Sequence, residues 1–178
     1  MNETAALIEP HIPALRRYAY ALIRDDASAD DLVQDCLERA VSRWHLRRGG
    51  DVRAWLFTIL HNLFVSQRRQ TLRRGPHRTF EEAEHETGIA SAQEHAITHR
   101  DMLRALASLP EEQQSVLLLI GVEDLSYAEA AGIVGVPVGT IMSRLSRGRN
   151  RLRRLLNGGP VDEERTTSER SSTLRRIK

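Results

Sequence analysis

From Ser126 to Leu156 the chain reads SYAEAAGIVGVPVGTIMSRLSRGRNRLRRLL. Ser126 and Glu129 stand at the S-x-x-E spacing of a capping box, which satisfies two orphan N–H groups at a helix start. Gly135 tolerates the left-handed conformation that ends such a helix. Val136-Pro137-Val138 then turns the chain into a second helix, with Thr140 in its first turn. Two short helices across a glycine-containing turn predict a helix-turn-helix. At about 100° per residue, Ile141, Leu145, Gly148, Leu152 and Leu155 share one face of the second helix. Arg144, Arg147, Arg151 and Arg154 form a stripe on the adjacent face, with the small Ser143 and Ser146 beside them. Between Val136 and Leu156 there are six arginines and no acid. A solvated amphipathic helix would intersperse glutamate at i,i+4, so the missing countercharge points to an external polyanion such as DNA. A surface helix whose arginines only solubilise it is the competing reading.

The rest of the 178 residues limits what this helix can belong to. Apolar residues make up 40% and aromatic residues only 4%, which suits helical cores better than a β-sandwich. The formal charge is only +2, yet the charge is segregated. Acids gather around 25–38 and 81–94 and arginines at 144–154, a pattern suited to two different partners. Lys178 is the sole lysine among 26 basic residues. That is either a compositional bias or a use of guanidinium forks for phosphate and guanine. Cys36, the single cysteine, sits between Val33 and Leu37 on an apolar helical face and reads as core packing. The segment MNETAALIEPHIP lacks the pattern of a signal peptide, and no apolar run is long enough to span a membrane. A cytoplasmic protein without membrane insertion is expected.

Residues 5–72 read as helices. Pro10 and Pro13 suit a helix start before Leu15, Tyr18, Ala19, Leu22 and Ile23. Ser28 with Asp31 resembles a capping box opening a helix with core face Leu32, Val33, Cys36, Leu37, Ala40 and Val41. Asp51 is expected to cap VRAWLFTILHNLFVSQRR, which is apolar on most sides and so buried between neighbours. Residues 73–97 lose periodicity and read as a flexible linker. Helical spacing returns over 98–157, and 158–178 reads as a disordered tail. The expected fold class is all-α: two small helical domains on a flexible linker, the second containing the helix-turn-helix.

Two further constellations bear on chemistry. On SADDLVQDCLERAV, Asp30, Asp31, Gln34, Asp35 and Glu38 share the face opposite the leucines. Such a face repels DNA and fits a basic protein surface, although solvation alone explains many charged helix faces. Downstream, Trp55, Phe57, His61, Asn62, Arg68, Arg69, Arg73 and Arg74 mix stacking, hydrogen-bonding and basic groups, as single-stranded nucleic acid requires. Trp55 and Phe57 are equally at home in a core. His95 and His99 stand at i,i+4 with His85 nearby, but HExxH and cysteine pairs are missing, so no metal or other cofactor is expected. No phosphate loop or nucleophile elbow is present either, and the chain reads as a non-enzyme. A free-standing helix-turn-helix regulator would leave the acidic helix unexplained.

Taken in order, SADDLVQDCLERA, RAWLFTILHNLFVSQRR and LPEEQQSVLLLIGVEDLSYAEAAGIVGVPVGTIMSRLSRGRNRLR resemble the extracytoplasmic-function sigma factors of the sigma-70 family, over about residues 10–156. The resemblance implies a protein that binds core RNA polymerase, at the β′ clamp and β flap, and directs promoter-specific initiation by recognising −10 and −35 elements and melting the former. It implies polymerase contacts at Asp30, Asp31, Leu32, Gln34 and Asp35. It places Arg53, Trp55, His61, Asn62, Arg68 and Arg69 on the −10 element, with the loop from Trp44 to Val52 capturing a flipped base. It places Thr140, Ser143, Ser146 and Arg147 on the −35 element, with Arg144 and Arg149 on phosphates. It also implies an anti-sigma partner. Met142 departs from the basic residue many relatives carry there, so the resemblance does not carry a guanine contact over to that position.

Overall fold

The computed structural model describes residues 3–47, 49–73 and 99–157. Among these residues the chain is helical throughout its regular structure. The helices are α1 (Glu3–Ile8), α2 (Ile12–Ile23), α3 (Asp26–Ser42), α4 (Val52–Arg73), α5 (His99–Ala107), α6 (Glu111–Gly121), α7 (Tyr127–Val134) and α8 (Val138–Leu156). Short 3-10 turns fill Glu9–His11 and Trp44–Leu46. The expected linker and tail fall almost wholly on residues outside the described ones.

Local chemistry sets the helix ends. Pro13 occupies the first turn of α2, where its missing N–H costs nothing. Arg24, at φ 63°, takes the left-handed position that closes α2, and its N–H donates to the Tyr20 carbonyl at 2.7 Å. The cap of α3 is Asp25, not Ser28: the Asp25 carboxylate accepts from the Ser28 N–H at 2.8 Å. The Ser28 hydroxyl, and then its N–H, hold the Asp25 carboxyl below the usual range. The aspartate wins because its extended backbone aims the side chain at the third N–H of the helix. Asp51 caps α4 as expected, with Oδ1 accepting from the Arg53 N–H at 2.9 Å.

In the first half, α2, α3 and α4 bury Leu15, Tyr18, Leu32, Cys36, Leu56, Phe57 and Leu60. Tyr18 meets Phe57 edge to face, with ring centroids 5.4 Å apart. Cys36 is core, as its apolar neighbours suggested: its thiol donates to the Leu56 carbonyl at 3.6 Å, and burial pushes its pKa to about 12. Such a thiol carries almost no thiolate and is chemically quiet.

In the second half, α6 is the central helix, buried from Gln113 through Leu119 on every side. Helices buried all round need neighbours on more than one face. Here α8 covers one face and α2 covers another, while α7 lies against α4. The two halves therefore share one continuous core in this conformation. Sequence periodicity predicted two domains held only by a tether, and could not show that they also pack on each other.

The α6–α8 crossing is close because of Gly148. A Cβ there would lie 2.9 Å from Leu117 Cδ1 and 3.3 Å from Gln113 Cβ. Leu117 can swing aside, but the Gln113 Cβ is fixed to its backbone. Gly148→Ala is therefore expected to destabilise the chain by about 1 kcal/mol. A thermal melt should show the midpoint falling by about 3 °C; an unchanged midpoint would mean the crossing is not tight.

Candidate nucleic-acid interface and acidic face

The helix-turn-helix forms as its residues suggested. The Ser126–Glu129 capping box is complete: Glu129 accepts from the Ser126 N–H at 2.8 Å, and Ser126 Oγ accepts from the Glu129 N–H at 3.2 Å. The Ser126 hydroxyl, donating to Glu129 Oε2 at 2.6 Å, and then the Ser126 N–H hold the Glu129 carboxyl below the usual range. Gly135, at φ 75°, ends α7 and lets Val136 and Pro137 redirect the chain into α8. Ile141, Leu145 and Gly148 of α8 face the core. Met142, Ser143, Ser146, Arg147 and Arg149 are exposed on its outer side, and Thr140 is half-buried. The Ser143 hydroxyl donates to the Thr140 carbonyl at 2.9 Å, so it keeps its lone pairs for a further donor. Arg147 and Arg149 are both exposed, and at 3.6 residues per turn they point to different sides of the exposed surface of α8.

Arg144 departs from the expected stripe. Its side chain is only 18% exposed and pairs with Glu112 of α6 at 2.8 Å. Part of the countercharge missing from α8 is thus supplied from another helix, which local sequence could not show.

The acidic face of α3 is exposed at Asp30, Asp31, Gln34, Asp35 and Glu38. Asp30 pairs with Arg16 at 3.1 Å across exposed surface, a contact worth little in water, and Gln34 donates to Glu38 at 3.0 Å. Leu32 does not belong with them. It is completely buried, so the expectation of a direct polymerase contact is corrected: its part is to seat α3 on the core.

On α4 the expected residues separate. Asn62, Arg68 and Arg69 are exposed, and Arg68 lies 3.5 Å from Glu111 of α6. Trp55 is half-buried and packs edge to face on Trp44 at 5.8 Å, with the Arg47 guanidinium 4.9 Å above the Trp44 ring. Arg53 turns back to Glu123, 3.2 Å away, and lies over Phe57 at 5.4 Å. His61 is a second correction. It is only 5% exposed, and its Nδ1 lies 3.1 Å from the Tyr18 hydroxyl, so in this conformation no strand can reach it.

Burial, and then the nearby Arg144 charge, lower the His61 pKa from 6.5 to about 4. Histidine in the unfolded chain takes a proton near pH 6.5, whereas His61 resists until about 4. Over that window the unfolded state binds more protons, so stability present above pH 6.5 drains away as pH falls toward 4. Between pH 7.5 and 5 His61 should contribute a loss of about 2 kcal/mol. Urea unfolding at the two pH values should show this loss reduced in His61→Gln; identical pH dependence in the variant would contradict the burial argument.

The residues that sequence reasoning missed are Arg17 and Glu123. Glu123 lies in the α6–α7 connection beside Asp124 and reads as a solvated loop acid. Its side chain is in fact completely buried. Arg17 Nε and Nη2 each donate to its carboxylate at 2.8 Å, and Arg53 Nη2 reaches it from α4. The carboxylate in turn raises the Arg17 pKa. No local signal announces a pairing across such sequence distance.

Comparison with known proteins agrees with this geometry. Residues 8–61 match the family model for the Sigma2 domain of PhyR, and residues 99–152 match that for Sigma-70, region 4. The ECF RNA polymerase sigma factor EcfG of Rhodopseudomonas palustris is 38% identical over 82% of this chain and 80% of its own length. The ECF RNA polymerase sigma factor SigL of Mycobacterium tuberculosis is 34% identical over 79% of this chain and 81% of its own. Among solved structures, the sigma factor RpoE of Bartonella quintana, in complex with the anti-sigma factor NepR, superposes with a TM-score of 0.74 at 37% identity. The match covers 91% of this chain and 99% of that one. The chain belongs to the family of extracytoplasmic-function RNA polymerase sigma factors. Among the described residues, no helix is long and apolar enough to cross a membrane.

Proposed function

We propose that this chain binds core RNA polymerase through the acidic outer face of α3 and reads promoter DNA through α8 and the exposed side of α4. The observation that carries the reading is the separation of charge within one sigma-factor fold. Asp30, Asp31, Gln34 and Asp35 are exposed on one helix, and Arg147 and Arg149 are exposed on another. A DNA duplex is repelled by the first surface and attracted by the second, so the two surfaces take different partners.

In this reading residues 5–72 form the polymerase- and −10-binding unit and residues 98–157 the −35-binding unit. Arg53, once free of Glu123, and Asn62, Arg68 and Arg69 meet the −10 strand, while the Trp44–Trp55 pair with Arg47 supplies an aromatic and cationic surface for an unstacked base. Thr140, Ser143, Ser146 and Arg147 face −35 bases, and Arg149 meets phosphate. Arg144, paired with Glu112, reaches a phosphate only by leaving that partner. The chain is a specificity subunit and not a catalyst, works in the cytoplasm beside the polymerase, and is held in check by an anti-sigma factor.

Gel filtration with purified core polymerase, followed by run-off transcription on candidate promoters, tests the reading. The expected result is a stoichiometric complex and transcripts that depend on the chain. A free-standing helix-turn-helix regulator would bind duplex DNA but leave core polymerase alone.

A further inference from the structure

We propose that Glu123 is an internal stand-in for a DNA phosphate: its carboxylate holds the chain closed by occupying Arg17 and Arg53, and an incoming promoter strand competes with it for that pair. The inference rests on the −10 role proposed for Arg53 and adds to it a partner residue and a means of control.

The geometry is that of an anion site already filled. Arg17 approaches the carboxylate as a two-pronged fork, with Nε and Nη2 each at 2.8 Å, and Arg53 Nη2 completes the set at 3.2 Å. Arg53 Nη2 also donates to the Glu123 main-chain carbonyl. Both cations come from the first half of the molecule, on α2 and α4, and the anion comes from the second. A guanidinium fork of this shape accepts a phosphate as readily as a carboxylate. In the closed chain the fork is therefore spent on an acid of the same molecule.

Further polar groups cross this contact beside the apolar core that the two halves share. Gln114 Nε2 donates to the Ala21 carbonyl at 2.9 Å, and Arg68 pairs with Glu111 at 3.5 Å. The Tyr18–His61 pair lies against the same boundary, near Arg144 of α8. These polar groups can be satisfied by water when the halves separate, which lowers the cost of parting relative to a wholly apolar contact. Closure also withdraws Arg53, a residue proposed to meet the −10 strand. Opening frees the fork, and a strand phosphate then takes the place that Glu123 leaves.

The test uses the full chain with spin labels on exposed positions of the two halves, Val41→Cys and Asn150→Cys. The labelled chain should show one short distance by pulsed electron resonance. Glu123→Gln keeps the side-chain shape but removes the charge. It should give a longer and broader distribution and bind a mixed-sequence single-stranded oligonucleotide about tenfold more tightly, equivalent to about 1.4 kcal/mol. Arg17→Ala should open the chain in the same way, yet lose the gain in strand affinity when combined with Glu123→Gln. Helical circular dichroism and melting establish that each variant is folded. An unchanged distance distribution in both folded variants would overturn the latch. Opening with no gain in strand affinity would overturn the competition with phosphate. If Arg53→Ala leaves strand binding by the opened chain untouched, the −10 role itself fails, while the distance measurement still judges the latch.

Discussion

Replacing Asp31 and Asp35 together by arginine is expected to reduce assembly with core polymerase at least about a hundredfold, the scale on which like-charge juxtaposition at an interface acts. Both carboxylates are exposed on α3, clear of the buried Leu32, Val33 and Cys36 that seat the helix. Their replacement therefore leaves the core intact, and the variant should melt close to wild type. Transcription should disappear because the subunit no longer reaches the enzyme. Its affinity for duplex DNA should not fall, since the changed face already repels a polyanion. Co-elution with core polymerase measures the first effect, and undiminished holoenzyme formation would show that the acidic face is merely solvated.

Arg147→Ala is expected to weaken recognition of a −35 duplex by about 1–3 kcal/mol, the range for a well-placed side chain on a base edge. Arg147 is exposed on the outer face of α8 beside Ser143 and Ser146, whose short side chains leave room for a groove wall. Loss of a base contact should reduce discrimination between matched and scrambled sequences as well as affinity. Arg149→Ala should instead weaken both sequences alike and lower the salt slope by about one phosphate contact. Fluorescence anisotropy across a salt series separates the two behaviours. Equal binding of matched and scrambled duplexes by the wild type would remove the base-reading role of α8.

The features that could be read in advance are those written in short range. The capping box at Ser126 and Glu129, the turn at Gly135 and the apolar phase of Ile141, Leu145 and Gly148 each depend on residues within a few positions. The exposed acids of α3 follow from the same periodicity. Where a helix is apolar nearly all round, phase stops discriminating. On α4 the adjacent His61 and Asn62 looked equivalent, yet one is sealed against Tyr18 and the other faces outward. Leu32 was grouped with the acids around it by resemblance, although its own apolar phase assigned it to the core.

Other features lay beyond any local pattern. Arg144 is compensated by Glu112 from a neighbouring helix, and Glu123 gathers Arg17 and Arg53 from the far half of the chain. A buried carboxylate is tolerable only with such partners, but sequence spacing does not say where they come from. The packing of α6 against α2 and of α7 against α4 has the same origin. Periodicity counts the faces that need covering and is silent on which helix covers them.

The central claim is that a negative face for the enzyme and a positive helix for the template are carried by one chain. Transcription by purified core polymerase on a library of randomised promoters, with and without the chain, examines both at once. The account expects transcripts that need the chain and share two upstream elements at fixed spacing. Such transcripts should be lost when Asp31 and Asp35 are reversed and redistributed in sequence when Arg147 is removed. Transcripts that are the same with or without the chain, together with no complex on the polymerase, would contradict it.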